Sequence, residues 1–128
     1  MKKIIKTKDL ELSIAMEDYV DKKLGTLNKF IVDSNEDLVM AQVELARTTR
    51  HHQTGDIFRA EINLSIDGKL FRAEAEKDDI YAALDEVRDD LEREIKKFKE
   101  KRDTVFVRGA RSFKKMVGIT PLARFKKK

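Results

Sequence analysis

The chain of 128 residues has no cysteine and one proline, Pro121. The missing thiols exclude disulfides and thiolate metal sites, and they fit a reducing cytoplasm. No Gly/Ser/Pro-rich stretch and no internal repeat divides the first hundred residues, so no linker is legible there. No apolar run approaches the roughly 18–20 residues that a membrane span requires. Met1-Lys2-Lys3-Ile4-Ile5-Lys6 is basic but has no long apolar stretch behind it, so no secretory leader is expected. Acid is missing from one end only. Residues 104–128 hold eight Lys/Arg and no carboxylate, for a charge of +8. Residues 1–103 hold 20 Lys/Arg against all 24 Asp/Glu, for −4.

That asymmetry predicts a folded body, residues 1–103, and a basic, flexible C-terminal tail, residues 104–128. With 41% hydrophobic residues beside 41% charged ones, the body can bury a modest core. An acid-free basic segment on such a body is an electrostatic footprint for a polyanion, which in a small protein points to nucleic acid.

The pattern along the body predicts an α+β domain. Ile4–Lys8 reads as extended. Ser13 reads as an N-cap, followed at helical spacing by Met16, Val20, Leu24, Leu27 and Ile31. Residues 33–37 read as a loop. Period-two alternation then takes over. Val39, Ala41, Val43 and Leu45 share one side, and Phe58, Ala60, Ile62, Leu64 and Ile66 do the same after a loop around Gly55. Ile66-Asp67-Gly68-Lys69 is a tight-hairpin signal, because both central residues tolerate positive φ. Phe71, Ala73 and Ala75 mark a further strand. A long helix enters at Asp78-Asp79, where carboxylates suit the positive end of the dipole. Ile80, Leu84, Val87, Leu91, Ile95 and Phe98 form its apolar stripe. The expected order is β-α-β-β-β-α: a mainly antiparallel four-stranded sheet with both helices packed on one face.

Several residue groups invite a chemical reading. Lys22, Lys23 and Lys29 on the first helix, and Arg93, Lys96, Lys97 and Lys99 on the second, would border a phosphate-facing groove if the helices lie side by side. Ordinary helix design explains them equally well: Asp89–Arg93 and Glu92–Lys96 are i,i+4 pairs, and terminal lysines favour the dipole. In the tail, Phe106, Phe113 and Phe125 alternate with Arg108, Arg111, Lys114 and Lys115, a composition that can order on RNA. Its apolar content argues against a purely solubilising role.

His51 and His52 follow Arg47 and Arg50 at a hairpin end. Adjacent strand residues point to opposite faces, so the pair is a poor chelate and no metal site is expected. A loop that touches RNA with Arg47, Arg50 and one imidazole fits better, and a plain solvated hairpin tip fits equally well. The outward positions Arg59, Glu61, Asn63 and Ser65 lack the aromatics a base-stacking sheet needs. Asp78-Asp79 and Asp89-Asp90 sit beside cations, with no Gly-rich phosphate loop, Walker or GxSxG pattern. No catalytic constellation and no cofactor are expected.

The residues Met16-Glu17-Asp18-Tyr19-Val20-Asp21-Lys22-Lys23-Leu24, Arg72-Ala73-Glu74-Ala75, Asp79-Ile80-Tyr81-Ala82-Ala83-Leu84-Asp85 and Asp90-Leu91-Glu92-Arg93-Glu94-Ile95-Lys96-Lys97-Phe98-Lys99, in that order, resemble the ribosome hibernation-promoting factors, also described as ribosome-associated translation inhibitors. The resemblance covers roughly residues 3–102. It implies a fold similar to double-stranded-RNA-binding domains and docking on ribosomal RNA of the small subunit. That docking would lie in the channel for messenger and transfer RNA and keep idle ribosomes silent, with no reaction catalysed. A cytoplasmic protein, monomeric off the ribosome, is implied, with no membrane or small-molecule partner. Two departures stand out. Asp89-Asp90 replaces the usual Asp-Lys, and Glu94 stands where Gln is common, so the middle of the second helix is less basic than in relatives. Long members add a dimer-forming domain, for which the 25 residues after Asp103 leave no room. The remaining alternatives are a general double-stranded-RNA module, an integral ribosomal protein, and a protein-interaction domain whose acidic body recruits a basic partner.

Overall fold

Ser13 opens the first helix as its sequence suggests: the Ser13 hydroxyl accepts from the Met16 amide at 3.1 Å. This satisfies one of the amide donors that a helix start leaves unpaired. The computed structural model describes the backbone of residues 1–31, 34–49 and 55–117, with side chains among these to Arg102 apart from Glu36 and Thr49. Its elements are β1 (Lys2–Lys8), α1 (Ile14–Gly25), β2 (Val39–Thr49), β3 (Asp56–Ile66), β4 (Lys69–Lys77) and α2 (Ile80–Val117), with 3-10 turns at Asn28–Phe30 and Glu36–Leu38. Arg50, His51 and His52 lie outside the described residues, as do the side chains of Arg108 and Arg111.

The strands lie in the order β1-β2-β3-β4. β2 pairs antiparallel with β3, and β3 with β4, but β1 runs parallel to β2, so the sheet is mixed. Parallel neighbours need a crossover rather than a hairpin, and α1 lies in that crossover. The β3–β4 connection is the expected tight turn: Asp67 has φ 50° and Gly68 φ 86°. Two left-handed residues in succession match the right-handed twist of a two-residue hairpin.

Alternation places Val39, Ala41, Val43, Leu45, Ala60, Ile62, Leu64, Phe71, Ala73 and Ala75 on one buried face. Val20 and Leu24 of α1, and Ile80, Leu84, Val87, Leu91 and Ile95 of α2, join them in a single core. Each large aliphatic side chain buried there contributes about 1.5–3 kcal/mol. Leu27 and Ile31 are buried too, yet they are not helical: α1 stops at Gly25 and a 3-10 turn carries the chain on. Periodicity reports which side faces the core, not whether the backbone keeps its α pitch.

Two expectations for α2 need correction. Phe98 is not part of the buried stripe, being 37% exposed; Ile95 is the last buried position of the described side chains. The helix also does not end in its lysine-rich turns: its backbone continues to Val117. No proline interrupts before Pro121.

The chain packs as two compact units, Met1–Ile95 and Lys96–Lys128. The first carries 15 Lys/Arg and 22 Asp/Glu, the second 13 and two. The division by charge is therefore sharper at Lys96 than after Asp103, the last carboxylate.

Candidate nucleic-acid interface

Within Met1–Ile95, α1 and the start of α2 lie side by side and run in the same direction. Three contacts in register establish this. Tyr19 and Tyr81 meet edge to face, with centroids 5.0 Å apart. One turn on, Asp85 Oδ1 accepts from the Tyr19 hydroxyl at 2.6 Å and from Lys23 Nζ at 2.9 Å. A further turn on, Arg88 Nε donates to Thr26 Oγ1 at 2.7 Å, and its Nη2 reaches the Thr26 carbonyl at 3.4 Å. Residues at i, i+4 and i+7 of both helices line one seam, as helix geometry demands.

Electrostatics reinforce the seam. Burial opposes charge on Asp85, but the Tyr19 hydroxyl and the Lys23 ammonium outweigh it and hold the carboxyl below the usual carboxylate range. The hydrogen bond to Asp85 raises Lys23 despite partial burial, and it raises the Tyr19 phenol as well. Lys23 Nζ also stands 5.3 Å above the Tyr19 ring, within cation–π range. Arg88, only 15% exposed at its side chain, caps the C-terminal end of α1 and pairs with Glu92 and Asp89. A cation there complements the negative end of the helix dipole.

The expected cations therefore fall into different situations. Lys22 and Lys29 are exposed, and Lys29 Nζ lies 5.1 Å from the Phe30 ring. Lys23 is half-buried and committed to Asp85. Arg93 is 70% exposed and pairs with Asp90, three residues back, rather than with Asp89 as the i,i+4 reading had it. Glu92 takes Arg88. In the Lys96–Lys128 unit, Lys96 and Lys97 are exposed and Lys99 is half-buried. Positions 108 and 111 lie on the helical backbone.

Asp85, Thr26 and Arg88 are the residues that sequence reasoning missed. Their partners lie 62 to 66 positions away along the chain, so no local pattern announces them. The spacing of Tyr81, Asp85 and Arg88 does place all three on one helical stripe, and that was the available signal.

The opposite face of the sheet is a salt-bridge lattice. Glu44, Glu61 and Glu74 stand directly across from one another on β2, β3 and β4, an arrangement that is repulsive by itself. Arg59 bridges all three, at 3.0 Å to Glu44 and 3.3 Å to Glu61, and Arg72 Nη2 holds Glu61 at 2.5 Å. The bond from Arg59 pulls Glu74 below its ordinary range. Arg59, Glu61, Asn63 and Ser65 give this stretch of β3 no exposed ring on which a base could stack. Among the described residues no cluster of His, Asp or Glu could hold a metal ion, and no helix is long and apolar enough to cross a membrane.

A mixed four-stranded sheet carrying two parallel helices on one face belongs to the structural class of the Protein Y N-terminal domain. The chain superposes on the crystal structure of that domain from Thermus thermophilus with a TM-score of 0.64 and 35% identity, over 77% of this chain and 99% of that one. It belongs to the sigma 54 modulation protein / S30EA ribosomal protein family, whose profile matches residues 4–103. It is 33% identical over 93 residues to the ribosome hibernation promotion factor of Deinococcus radiodurans, covering 72% of this chain and 46% of that protein. To the ribosome hibernation promoting factor of Klebsiella oxytoca it is 31% identical over 93 residues, covering 73% and 87%. The chain thus spans about half the length of the Deinococcus relative and most of the Klebsiella one. This is the family that the α1 and α2 motifs resembled.

Proposed function

We propose that this protein is a cytoplasmic ribosome-binding translation inhibitor. It docks on ribosomal RNA of the small subunit, occupies the channel for messenger and transfer RNA, and keeps idle ribosomes inactive without catalysing a reaction. The observation that carries this reading is the locked helix pair in a member of this family: the Tyr19–Asp85–Lys23 and Arg88–Thr26 contacts hold α1 against α2. Lys22, Lys29 and Arg93 are exposed on the same unit. Rigid presentation matters because phosphate contacts position a protein on RNA only if the cations hold a fixed spacing. Lys96, Lys97 and Lys99 of the Lys96–Lys128 unit make phosphate contacts of their own, and Lys23, Arg50, Arg108 and Arg111 contribute where they meet phosphate.

The test is co-sedimentation with purified ribosomes alongside a translation assay. Arg93→Glu combined with Lys97→Glu is expected to abolish both ribosome binding and inhibition while leaving the circular-dichroism spectrum unchanged. Undiminished co-sedimentation removes the helical surface from the mechanism. Footprints that leave the decoding-site nucleotides unprotected at saturating protein remove the channel.

One observation favours a second reading. The Met1–Ile95 unit carries an excess of acid, 22 Asp/Glu against 15 Lys/Arg, which suits recruitment of a basic protein partner. Salt dependence separates the two. Binding to RNA weakens with log salt at about −0.7 to −0.9 per phosphate neutralised, and a flat response assigns the contact to protein.

A further inference from the structure

The last fourteen described residues of α2, 104–117, form a helix with a property that phosphate binding does not require. At 3.6 residues per turn, positions 105, 106, 109, 110, 113, 116 and 117 fall within one arc of about 140°. All seven are apolar or glycine, and no polar residue of this stretch interrupts the arc. Arg108, Arg111, Lys114 and Lys115 occupy positions on the opposite side. No carboxylate occurs from Thr104 onward, and Arg124, Lys126, Lys127 and Lys128 follow.

We propose that this segment is an interfacial helix that binds an anionic lipid surface. An apolar arc with a low overall hydrophobicity and a Lys/Arg-rich opposite side is the pattern of helices that lie in the headgroup plane. Charge attracts the segment to anionic headgroups, and the apolar arc enters the acyl boundary.

The identity of the apolar residues decides against a second copy. A helical dimer seam wants Leu, Ile or Val at regular heptad positions. No Leu or Ile occurs between Lys96 and Val117, and the arc is built from Phe, Val, Met, Ala and Gly. RNA would use the cations and could stack bases on Phe106 and Phe113, but it has no use for the aliphatic remainder of an uninterrupted arc, Val105, Ala110, Met116 and Val117. A bilayer surface uses both sides of the helix. The inference is independent of the ribosome reading, and it makes ribosome and bilayer competitors for Arg108 and Arg111.

The test uses the full chain, without ribosomes, and vesicles of 30% phosphatidylglycerol in phosphatidylcholine against vesicles of phosphatidylcholine alone. Flotation is expected to recover at least about tenfold more protein with the anionic vesicles, with recovery falling at high salt. Phe106→Ser with Phe113→Ser leaves the charge intact and should lose most of that binding, while Phe113→Leu retains it. Urea unfolding of the Met1–Ile95 core checks that the variants remain folded. Equal recovery with both vesicle types overturns the proposal, as does full binding by the double-serine variant, which would be adsorption by charge alone. A dimer in solution that the same serines dissolve assigns the arc to a second copy. An RNA oligonucleotide bound with the same phenylalanine dependence, in the absence of vesicle binding, assigns it to nucleic acid.

Discussion

Asp85 does the most for its size. One carboxylate oxygen joins the Tyr19 hydroxyl and the Lys23 ammonium across two helices. Its pKa is depressed on folding, so its contribution is complete above the usual carboxylate range and disappears as pH falls through the lowered value. Asp85→Asn should cost about 0.5–1 kcal/mol at neutral pH, the lower part of the hydrogen-bond range because the group is partly solvated. In urea unfolding at pH 7 and again in strong acid, the gap to the parent chain should close in acid. Lys23 and Tyr19 are shifted upward, so their contributions have the opposite sense: present below their ordinary values and lost as pH rises beyond them. The lysine itself was legible as a helix cation. That a carboxylate on the other helix holds it was not, because the pairing exists only once the two helices pack.

Elements were legible where local chemistry is decisive. Ser13 caps α1 by its own hydroxyl, and Asp67-Gly68 turns the chain through conformations that few other pairs adopt. Gly68→Ala should destabilise by about 1 kcal/mol, because a Cβ is penalised at φ 86° even though nothing lies within 4 Å to clash with it. Ser13→Ala should cost about 1 kcal/mol through the unpaired Met16 amide. Both are measurable as shifts in a thermal or urea midpoint with an unchanged denaturant slope. Elsewhere the period was right and the backbone was not. Leu27 and Ile31 keep their core side while leaving the α-helix, since burial selects the side and a 3-10 turn can deliver it. Phe98 continues the apolar period of α2 but not its burial, because a period selects a side of the helix and not what covers it.

At the scale of the whole chain, charge is distributed by packing unit. The Met1–Ile95 unit has an acid excess, whereas Lys96–Lys128 holds 13 of the 28 basic residues with two acids. Leu91, fully buried among sheet and helix residues, belongs to the first. Leu91→Ala should lower its stability by about 2–5 kcal/mol, read from urea unfolding. Removing residues 104–128 should leave the unfolding midpoint within a degree or two while weakening ribosome co-sedimentation and flattening its salt dependence, since eight cations leave with the segment. Loss of the unfolding transition on that deletion would show that the segment helps to build the core.

Strand alternation, caps, the tight turn and the uneven placement of charge belong to the sequence alone, because each depends on neighbours within a few positions. The parallel pairing of β1 with β2 and the seam through Asp85 and Arg88 belong to the tertiary structure. These depend on which surfaces meet after the chain has closed on itself. For the seam, the partners are brought into contact from more than sixty residues apart, a distance that no local preference spans.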